Sequence, residues 1–377
     1  MFQLKSEDST TILIIRITSA FWIFTKLFSY KVWHIDRLFP VIPPFEFLEN
    51  IPNSVHLTLF FIALSGMALV GIFPKSKVIL VATIAVEFSS CLLDQSRWQP
   101  WEYQYLLTFL LFFFYHKNQK QFLNYFSFLI VATYFFSGLH KLNGGFLYTV
   151  WEKMILIRFC GFEPNQIQNI VVHYAGLALP IFEILATLGL LFVKNKQRYA
   201  LLLIAMHIFI LIFLSPLGIN YNSIVWPWNV LMILYLIILF YHNNTIISFR
   251  NLVSGFNKIP FAVIAILPLV SFFGLYDNYL SFNLYSGKLT SFRICIDETR
   301  IDNDLNEYRS KNKHYCDSKG SISVDDWAMK EMNVALYPEE RVYIKIRKYW
   351  DKKYPNSEAE FVIYQYPYMK ENIKRLE

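Results

Sequence analysis

Charged side chains are scarce in this sequence. Its 377 residues include 35 basic and 28 acidic side chains, which together make up 17% of the chain, whereas about 25% is usual for a soluble protein. Hydrophobic residues account for 55% and aromatic residues for 18%. So little charge beside so much apolar sequence argues against an ordinary soluble protein and indicates a membrane protein.

The charge that is present is unevenly distributed. Residues 276–377 carry 17 basic and 17 acidic side chains, whereas residues 1–275 carry 18 basic and 11 acidic ones, so the net charge of +7 belongs to the first part. This division predicts an all-α polytopic membrane bundle over residues 1–275, followed by a small extramembrane α+β domain over residues 276–377. Basic loops beside membrane helices explain the excess positive charge. We therefore expect the lipid bilayer as a partner and no nucleic acid.

Several signatures of chemistry or processing are missing from the sequence. Residues 276–377 contain no zinc-ligand spacing, no glycine-rich phosphate loop and no nucleophile elbow, so we expect an accessory domain there and no metal site. No small-residue cleavage site follows the first apolar run, which predicts a retained helix rather than a cleaved signal peptide. No repeat with a period of 20–50 residues is visible either.

Long apolar runs fill the first part of the chain. A membrane-spanning helix needs about 20 such residues, and nine runs reach or approach that length, although 104–116 is short and makes eight an alternative count. The predicted spans are 11–29, 55–73, 78–95, 104–116, 122–142, 174–193, 199–215, 224–241 and 259–275.

The loops between these runs differ in charge. With nine spans, lysine and arginine are more frequent on the side that includes the N-terminus, which predicts a cytoplasmic N-terminus and a C-terminal domain outside, in a periplasmic or luminal space. Cys295 and Cys316 both fall in that domain. An oxidising compartment would let them form a disulfide, and two free cysteines in a cytosolic domain are the alternative.

Several ionisable side chains lie well inside predicted spans, away from the span ends. They include Arg16, Lys26, Glu87, Glu183 and His207. Charges this deep usually face the bundle interior and pair with one another. We expect an Arg16–Glu87 pair, and we expect Glu183 and His207 to approach each other because they lie on consecutive spans. Packing and folding roles are the alternative to catalytic ones for each.

Lys141 lies beside His140 at the end of the predicted span 122–142. A lysine in hydrocarbon is costly and marks a functional candidate, because burial can also make it a usable base. The alternative is that its ammonium group reaches back to the headgroup layer. Tyr134, Ser137 and Lys141 are spaced by three and four residues, so they share one helix face and place two hydroxyl groups below the amine.

The loops assigned to the outer side are rich in polar and aromatic residues. Interfacial aromatic belts explain part of this composition but not the clustered amide and charged side chains. We therefore predict an outward-facing polar pocket that these loops cap above the Lys141 helix. Its predicted loop residues are Asp94, Gln95, Arg97, Trp98, Asn220 and Asn222.

The C-terminal domain shows mixed secondary-structure signals. Alternating polar and apolar residues predict a strand within 283–296, and a second β-rich run covers 359–366. Ser323 with Asp326 resembles a capping box and predicts a helix that extends to about Met332. Pro338 is typical of a first helical position and predicts a second helix, ending near Tyr354.

Two stretches resemble the vitamin K-dependent gamma-glutamyl carboxylase family and its bacterial relatives, the HTTM (horizontally transferred transmembrane) proteins. Tyr-Phe-Phe-Ser-Gly-Leu-His-Lys-Leu at 134–142 is similar to the family's Tyr-Phe-x-Ala-Gly-x-Lys-Lys-Leu. Leu-Asp-Gln-Ser-Arg-Trp at 93–98 is similar to its Leu-Asp-Lys-x-x-Trp loop. The resemblance covers roughly residues 10–240. It places Lys141 at the position of the proposed catalytic base and His140 at that of the preceding lysine.

The resemblance implies a membrane enzyme of the carbon–carbon lyase class. Its cofactor would be a reduced quinone of the vitamin K or menaquinol type, and its substrate a peptide or envelope protein at the outer face. Trp101 stands where the carboxylase has a functional histidine, and the family's large luminal region is not recognisable here. The alternative is a non-catalytic membrane anchor or assembly protein that presents the C-terminal domain. A transporter is a third hypothesis, although no paired broken helices support it.

Overall fold

The structure, a computed structural model, describes residues 6–297, 303–310, 316, 320–367 and 372–376. Twelve α-helices occupy the first 275 residues. They are α1 Glu7–Phe28, α2 Asn53–Ile72, α3 Lys77–Leu92, α4 Pro100–Phe114, α5 Gln119–Lys141, α6 Ile170–Ala175, α7 Ala178–Phe192, α8 Gln197–Leu214, α9 Val225–Leu236, α10 Phe249–Leu252, α11 Lys258–Phe261 and α12 Leu267–Val270. Segments of π-helix cover Phe146–Phe159, Ile237–His242 and Ala262–Ile266.

Among the residues that the structure describes, six helical stretches are long and apolar enough to cross a membrane, so the chain has the architecture of a multi-pass membrane protein. They are Glu7–Phe28, Asn53–Ile72, Gln119–Lys141, Ile170–Phe192, Gln197–Leu214 and Val225–His242. The predicted runs 78–95 and 104–116 are helical as α3 and α4, but these helices have only 16 and 15 residues. The predicted count of eight or nine spans is therefore not confirmed.

Helix α5 lies at the centre of the bundle. It packs against α1, α4 and α7. In its most apolar stretch of 18 residues, 83% of the residues are buried in the protein, compared with 28% in the corresponding stretches of α2 and α8. Because α5 is surrounded by other helices, the polar groups at its C-terminal end face protein rather than lipid. The sequence stretch that contains Lys141 is thus placed inside the bundle.

The C-terminal domain is a five-stranded antiparallel sheet with two helices. The strands are β1 Ser291–Ile296, β2 Arg309–Ser310, β3 Gly320–Ser323, β4 Glu360–Tyr364 and β5 Ile373–Leu376. Their order is β2-β3-β1-β4-β5, with Arg293 of β1 opposite Ser323 of β3 and Val362 of β4. Helices α13 (Val324–Met332) and α14 (Glu340–Lys353) meet through Trp327 and Trp350, whose ring centroids are 6.4 Å apart.

Most of the secondary structure predicted for this domain is confirmed, with two corrections. Ser323 caps α13 by accepting a hydrogen bond from the Asp326 amide, and β4 lies inside the predicted run 359–366. The predicted strand begins only at Ser291, because Tyr285 (φ 55°) and Gly287 (φ 71°) have left-handed backbone conformations that no strand accommodates. Pro338 is not a first helical position: it precedes Glu339, the N-cap of α14.

Cys295 and Cys316 are joined by a disulfide. Both cysteines are buried, in a small cluster with Val362 and Tyr364 beside the sheet. The bond closes a segment of 21 residues. Of the two alternatives that the sequence left open, the structure therefore has the paired one.

Asp325, near the start of α13, has a buried carboxyl group. Burial raises its pKa to about 6, although hydrogen bonds from the Ser291 hydroxyl (3.0 Å) and the Phe292 amide (3.3 Å) act in the opposite direction. A raised folded-state pKa means that folding favours the protonated acid. Its stabilisation is complete below pH 4 and is lost as the pH rises through about 6.

We expect Asp325→Asn to remove this part of the pH dependence. Wild-type stability should fall by about 1–2 kcal/mol between pH 4 and pH 6.5, since residual solvent contact screens part of the effect. The variant should show a flatter profile. Denaturant unfolding monitored by tryptophan fluorescence across that pH range measures the difference, with Asp326→Asn, an exposed neighbour, as the control. Identical profiles for wild type and Asp325→Asn would contradict the assignment.

The C-terminal domain packs directly on the loops of the bundle. The buried Glu331 carboxylate accepts hydrogen bonds from the Phe39 amide (2.9 Å), the Leu38 amide and the Trp327 indole (2.7 Å). Phe39 also contacts Trp327 edge to face, with ring centroids 5.1 Å apart. Arg341 adds a contact to the bundle, because its Nε donates to the Gln95 side-chain oxygen at 2.9 Å. The domain is held against the membrane body rather than tethered by a free linker.

We expect Glu331→Ala to loosen this contact, because three buried donors lose their acceptor. An unsatisfied buried donor costs about 1–3 kcal/mol, so the C-terminal domain should be released by protease faster than from the wild type. Limited proteolysis in detergent measures the rate. Asp351→Ala is the matched control, since Asp351 is exposed and pairs only within α14, with Arg347 at 3.5 Å. Equal release rates for Glu331→Ala and Asp351→Ala would argue against the contact.

Candidate functional site

An ion pair closes the inner end of a cavity beside α5. The Lys141 ammonium donates to the Glu183 carboxylate of α7 at 2.7 Å and to the Ser137 hydroxyl at 2.8 Å. The Lys141 side chain is 16% exposed and that of Glu183 is 5% exposed. Ser137 and Lys141 thus lie on one face of α5, as predicted. The carboxylate partner of Lys141 comes from α7, so the spacing of residues along α5 did not reveal it.

Gly138 explains why this pair forms. A Cβ atom at position 138 would lie 2.7 Å from the Ile184 side chain and 3.3 Å from the Pro180 carbonyl of α7. The missing side chain therefore lets α5 and α7 approach closely, one turn away from the Lys141–Glu183 contact. Any larger residue at 138 would separate the two charges.

A second polar chain faces the same cavity. The Tyr134 hydroxyl lies 2.6 Å from His207 Nε2, and His207 Nδ1 lies 2.7 Å from the side-chain oxygen of Asn229. All three residues are buried. Glu183 and His207, which we expected to approach each other, both line one small chamber of about 80 Å³. Their hydrogen bonds, however, are with different partners. The two hydrogen-bonded chains thus come from four helices, α5, α7, α8 and α9.

The chamber continues into an apolar lobe of about 330 Å³. Lys141, Glu183, Met206, Ile210 and Tyr285 line both spaces. The volume lies within the range of about 300–1,000 Å³ that is usual for small-molecule sites. The remaining walls of the lobe are apolar and come mainly from the π-helix Phe146–Phe159, α7 and α8. Leu179, Leu202 and Phe209 on its rim are exposed at the bundle surface, so the lobe reaches the side of the bundle.

The chain between the bundle and β1 forms the roof of the chamber. Phe282, Leu284 and Tyr285 line it from above, and the Tyr285 hydroxyl accepts a hydrogen bond of 2.6 Å from the Asn222 amide. Gly287 allows this path: it has a φ of 71°, and a Cβ there would lie 2.2 Å from the Gly145 carbonyl oxygen. Two glycine backbones in contact therefore hold the roof against the end of the π-helix. Sequence patterns gave no sign of this segment's role.

The predicted loop residues lie elsewhere, with one exception. Asn222 contacts the roof, whereas Asn220 is exposed in a turn with φ 47°. None of the other four, Asp94, Gln95, Arg97 and Trp98, is among the residues that line the cavity.

The loop at Asp94 instead ties together the outer segments of the bundle. Asp94 is buried, which alone would raise its pKa, but Arg37 and Arg97 hold that pKa below its ordinary value. Arg97 donates to the Val32, Trp33 and Ser90 carbonyl oxygens. Gln95 accepts from Arg341, and Trp98 packs on Phe88. These contacts describe a structural corner, not a wall of the Lys141 cavity.

His140 points away from Lys141. Its ring stacks on Phe272 with centroids 4.2 Å apart, and its Nε2 lies 3.3 Å from the Ser271 hydroxyl. Trp101 is buried next to Tyr105, with ring centroids 6.2 Å apart. Neither residue is among those that line the cavity. The histidine that does line it is His207, from α8.

The predicted Arg16–Glu87 pair is wrong. Glu87 pairs with Lys26, whose ammonium lies 2.7 Å from Glu87 Oε1, and both side chains are completely buried. Arg16 is exposed and donates to the Gly71 carbonyl at 3.1 Å. Positions 16 and 26 are ten residues apart on α1, so they project in different directions, and only Lys26 points towards α3.

A histidine–carboxylate contact lies under a surface cavity of about 460 Å³. His173 Nδ1 is 2.5 Å from Glu152 Oε1, and Tyr148 and Tyr174 flank the imidazole ring. The side chains are 16% and 12% exposed. The Lys141 cavity is the stronger candidate, because it joins a more deeply buried pair of charges to an extended apolar space.

Comparisons of this chain with protein-family models, with curated proteins and with solved structures found no match.

Proposed function

We propose that this protein is a membrane enzyme that binds a reduced quinone in the Lys141 cavity and uses the Lys141–Glu183 pair as the proton-accepting unit. The observation that supports this proposal is that the cavity has two connected parts. One part contains the buried Lys141–Glu183 ion pair, and the other is an apolar lobe that reaches the side of the bundle. A quinone of the menaquinol type has the same two parts, a polar ring and an apolar tail.

The cavity residues suit that ligand in three ways. Lys141 and Ser137 present donors to a ring oxygen, and the Tyr134–His207–Asn229 chain offers a second polar contact across the chamber. The apolar walls match a hydrocarbon tail entering from the membrane. When bound, a reduced quinone would supply two electrons for a reaction with oxygen, as the resembled family implies.

The role of the protein's own groups follows from their hydrogen bonds. The Lys141 ammonium donates to Glu183, so the pair as a unit takes up one proton, with Glu183 as the first acceptor. Lys141 stays 2.7 Å away and stabilises negative charge that develops on a ring oxygen. Tyr285 and Phe282 cover the chamber and limit water access from above. The substrate, a peptide or envelope protein, would approach at the outer face beside this roof.

The orientation is part of the proposal. We place the N-terminus in the cytoplasm and the C-terminal domain outside, in the periplasm or lumen. The Cys295–Cys316 disulfide supports this placement, because disulfides persist in oxidising compartments. A mass shift after reduction and alkylation of protein from intact cells tests it.

A non-catalytic anchor remains the second candidate function. The contacts of Glu331 with the Phe39 amide and of Arg341 with Gln95 favour it, since they hold the C-terminal domain in one position on the bundle. In that case Lys141 and Glu183 would be structural, and a lysine-to-arginine change would be tolerated because it keeps the charge.

Extraction of bound lipids from protein purified in mild detergent separates the two functions. We expect a quinone to co-purify at roughly one molecule per chain, as a largely enclosed cavity of this size implies. Its loss from Leu202→Trp, which would fill the lobe, and its retention in Leu201→Trp, an exposed neighbour on α8, would locate it. Purified protein that contains no quinone and acquires none from added menaquinol would overturn the proposal.

A further inference from the structure

Three potential metal ligands converge between α3 and α4, away from the Lys141 cavity. Glu87 and Cys91 lie one turn apart on α3, and Glu102 lies in the first turn of α4. All three are completely buried. One ligand atom from each, two carboxylate oxygens and the thiol sulfur, lies within 4.8 Å of the other two.

Two buried oxygen atoms of this cluster have no hydrogen-bond donor among the described residues. Lys26 pairs with Glu87 at 2.7 Å, and the Trp22 indole donates to Glu102 Oε2 at 2.8 Å. The Glu102 carboxyl faces that of Glu87, yet among the described residues no donor reaches Glu87 Oε2 or Glu102 Oε1. Lys26 contacts only the Glu87 carboxylate, and the buried Arg97 adds positive charge nearby while its guanidinium donates to backbone carbonyl oxygens instead of to either carboxylate. Buried, facing carboxylates require a further positive charge between them.

We propose that Glu87, Glu102 and Cys91 bind a divalent transition-metal ion of the zinc class. With a thiolate at Cys91, the ion and the Lys26 ammonium balance two carboxylates and the thiolate, so the buried cluster is neutral. Zinc accepts carboxylate oxygen and cysteine sulfur at about 2.0–2.3 Å in one tetrahedral site. The three ligand atoms need to contract by about 1 Å to reach those distances.

The arrangement of the ligands suits a structural or tuning site. Two ligands one helical turn apart fix the ion on α3, and the third joins it to α4, two helices too short to count among the six membrane-spanning stretches. Trp22 of α1 holds the outer oxygen of Glu102 and so orients that carboxylate. The ion would therefore join α3 directly to α4, beside the Lys26–Glu87 and Trp22–Glu102 contacts that hold α1 to both helices.

A shared proton between Glu87 and Glu102 is the competing explanation. It would also neutralise the cluster and would keep the Cys91 thiol as a donor to Glu87 Oε1 at 3.8 Å, but it predicts a metal content of zero. The two explanations differ in a measurement that needs no enzymatic activity.

The experiment is metal analysis of the full-length protein purified without chelator from cells supplied with zinc and cobalt. We expect about one metal ion per chain, and in the cobalt form a sulfur-to-cobalt charge-transfer absorption band. Cys91→Ser should lose the band and most of the metal, whereas Cys160→Ser, at the exposed free cysteine, should keep both.

If Cys91→Ser fails to fold, the metal content and the cobalt spectrum of the wild-type protein are sufficient to test the proposal. Wild-type protein with no stoichiometric metal and no cobalt–thiolate band after cobalt addition would overturn the proposal in favour of the shared proton. Metal that Cys91→Ser retains in full would overturn it as well.

Discussion

Lys26→Met should destabilise the protein by about 3–5 kcal/mol, which is the usual consequence of leaving one member of a buried ion pair without its partner. Glu87 and Lys26 are both 0% exposed, so no water can solvate the remaining carboxylate. The Lys26 ammonium also lies 3.0 Å from the centre of the Trp33 ring, a cation–π contact that methionine does not replace. Unfolding in mixed detergent–SDS micelles measures the change.

The control is a pair with nearly the same length in a different environment. Lys75 lies 2.8 Å from Asp8, but the two side chains are 64% and 44% exposed. We expect Lys75→Met to change stability by less than about 1 kcal/mol, because water and salt screen an exposed pair. The contrast between the two methionine variants measures the effect of burial together with the Trp33 contact of Lys26, since the two ion-pair distances are nearly equal.

A double variant tests the reason for the effect. Lys26→Met with Glu87→Gln removes both charges, so it should recover a large part of the lost stability relative to Lys26→Met alone. If Lys26→Met is no worse than Lys75→Met, the uncompensated charge is not the dominant effect and the pair contributes little. A bound cation at Glu87 would reduce the recovery, because Glu87→Gln also removes one of its ligands.

The sequence predicted those features that depend on local patterns. Each of the six spanning stretches overlaps a predicted apolar run, because hydropathy reports burial in lipid or protein directly. The Ser137–Lys141 contact was also predictable, since positions four apart on a helix are neighbours wherever the helix lies. The N-cap of α13 at Ser323 was predictable for the same reason, because a helix cap depends only on residues within about four positions of each other.

Partners across helices were not predictable. Whether Glu87 meets Arg16 or Lys26 depends on how α1 is rotated against α3, and a single sequence does not encode that rotation in any short pattern. The same limit applies to Glu183, which meets Lys141 because Gly138 lets α5 and α7 approach. Apolar runs alone identified all these residues as intramembrane but left their pairing open.

The prediction that the Asp94 loop caps the Lys141 cavity was wrong for a related reason. Loops on one side of a membrane share a surface, but a bundle is wide enough for two such loops to lie far apart in the plane. Asp94 meets Arg37 and Gln95 meets Arg341, so this corner supports the C-terminal domain. The roof at Tyr285 was missed because its backbone path depends on contact between Gly145 and Gly287, residues 142 positions apart.

Lys141→Ala should reduce quinol-driven turnover by about 10²–10³-fold, the usual cost of removing one group that stabilises a developing oxyanion. The substitution removes the charge that stabilises a developing ring oxyanion and leaves Glu183 without its partner at 2.7 Å. Oxygen consumption by the purified protein with menaquinol as the added reductant measures the rate, and bound quinone measures whether the cavity is still formed. Full turnover in Lys141→Ala would remove the pair from the mechanism.

Two further substitutions separate chemistry from charge. Lys141→Arg keeps the positive charge but enlarges the head group beside Ser137, so we expect it to keep the fold and lose most of the turnover. Wild-type turnover in this variant would show that the positive charge alone is required at position 141, whereas wild-type protein without any quinol-driven turnover would favour the anchor hypothesis. Lys196→Met is the matched control: Lys196 is also buried, at 3% exposure, yet it lies at the start of α8 and donates to the Leu190 carbonyl. Lys196 is not among the residues that line the cavity, so any fall in the turnover of Lys196→Met would reflect general damage to the bundle. The loss of turnover in the Lys141 variants must be larger than that fall to be assigned to the chemistry of the site.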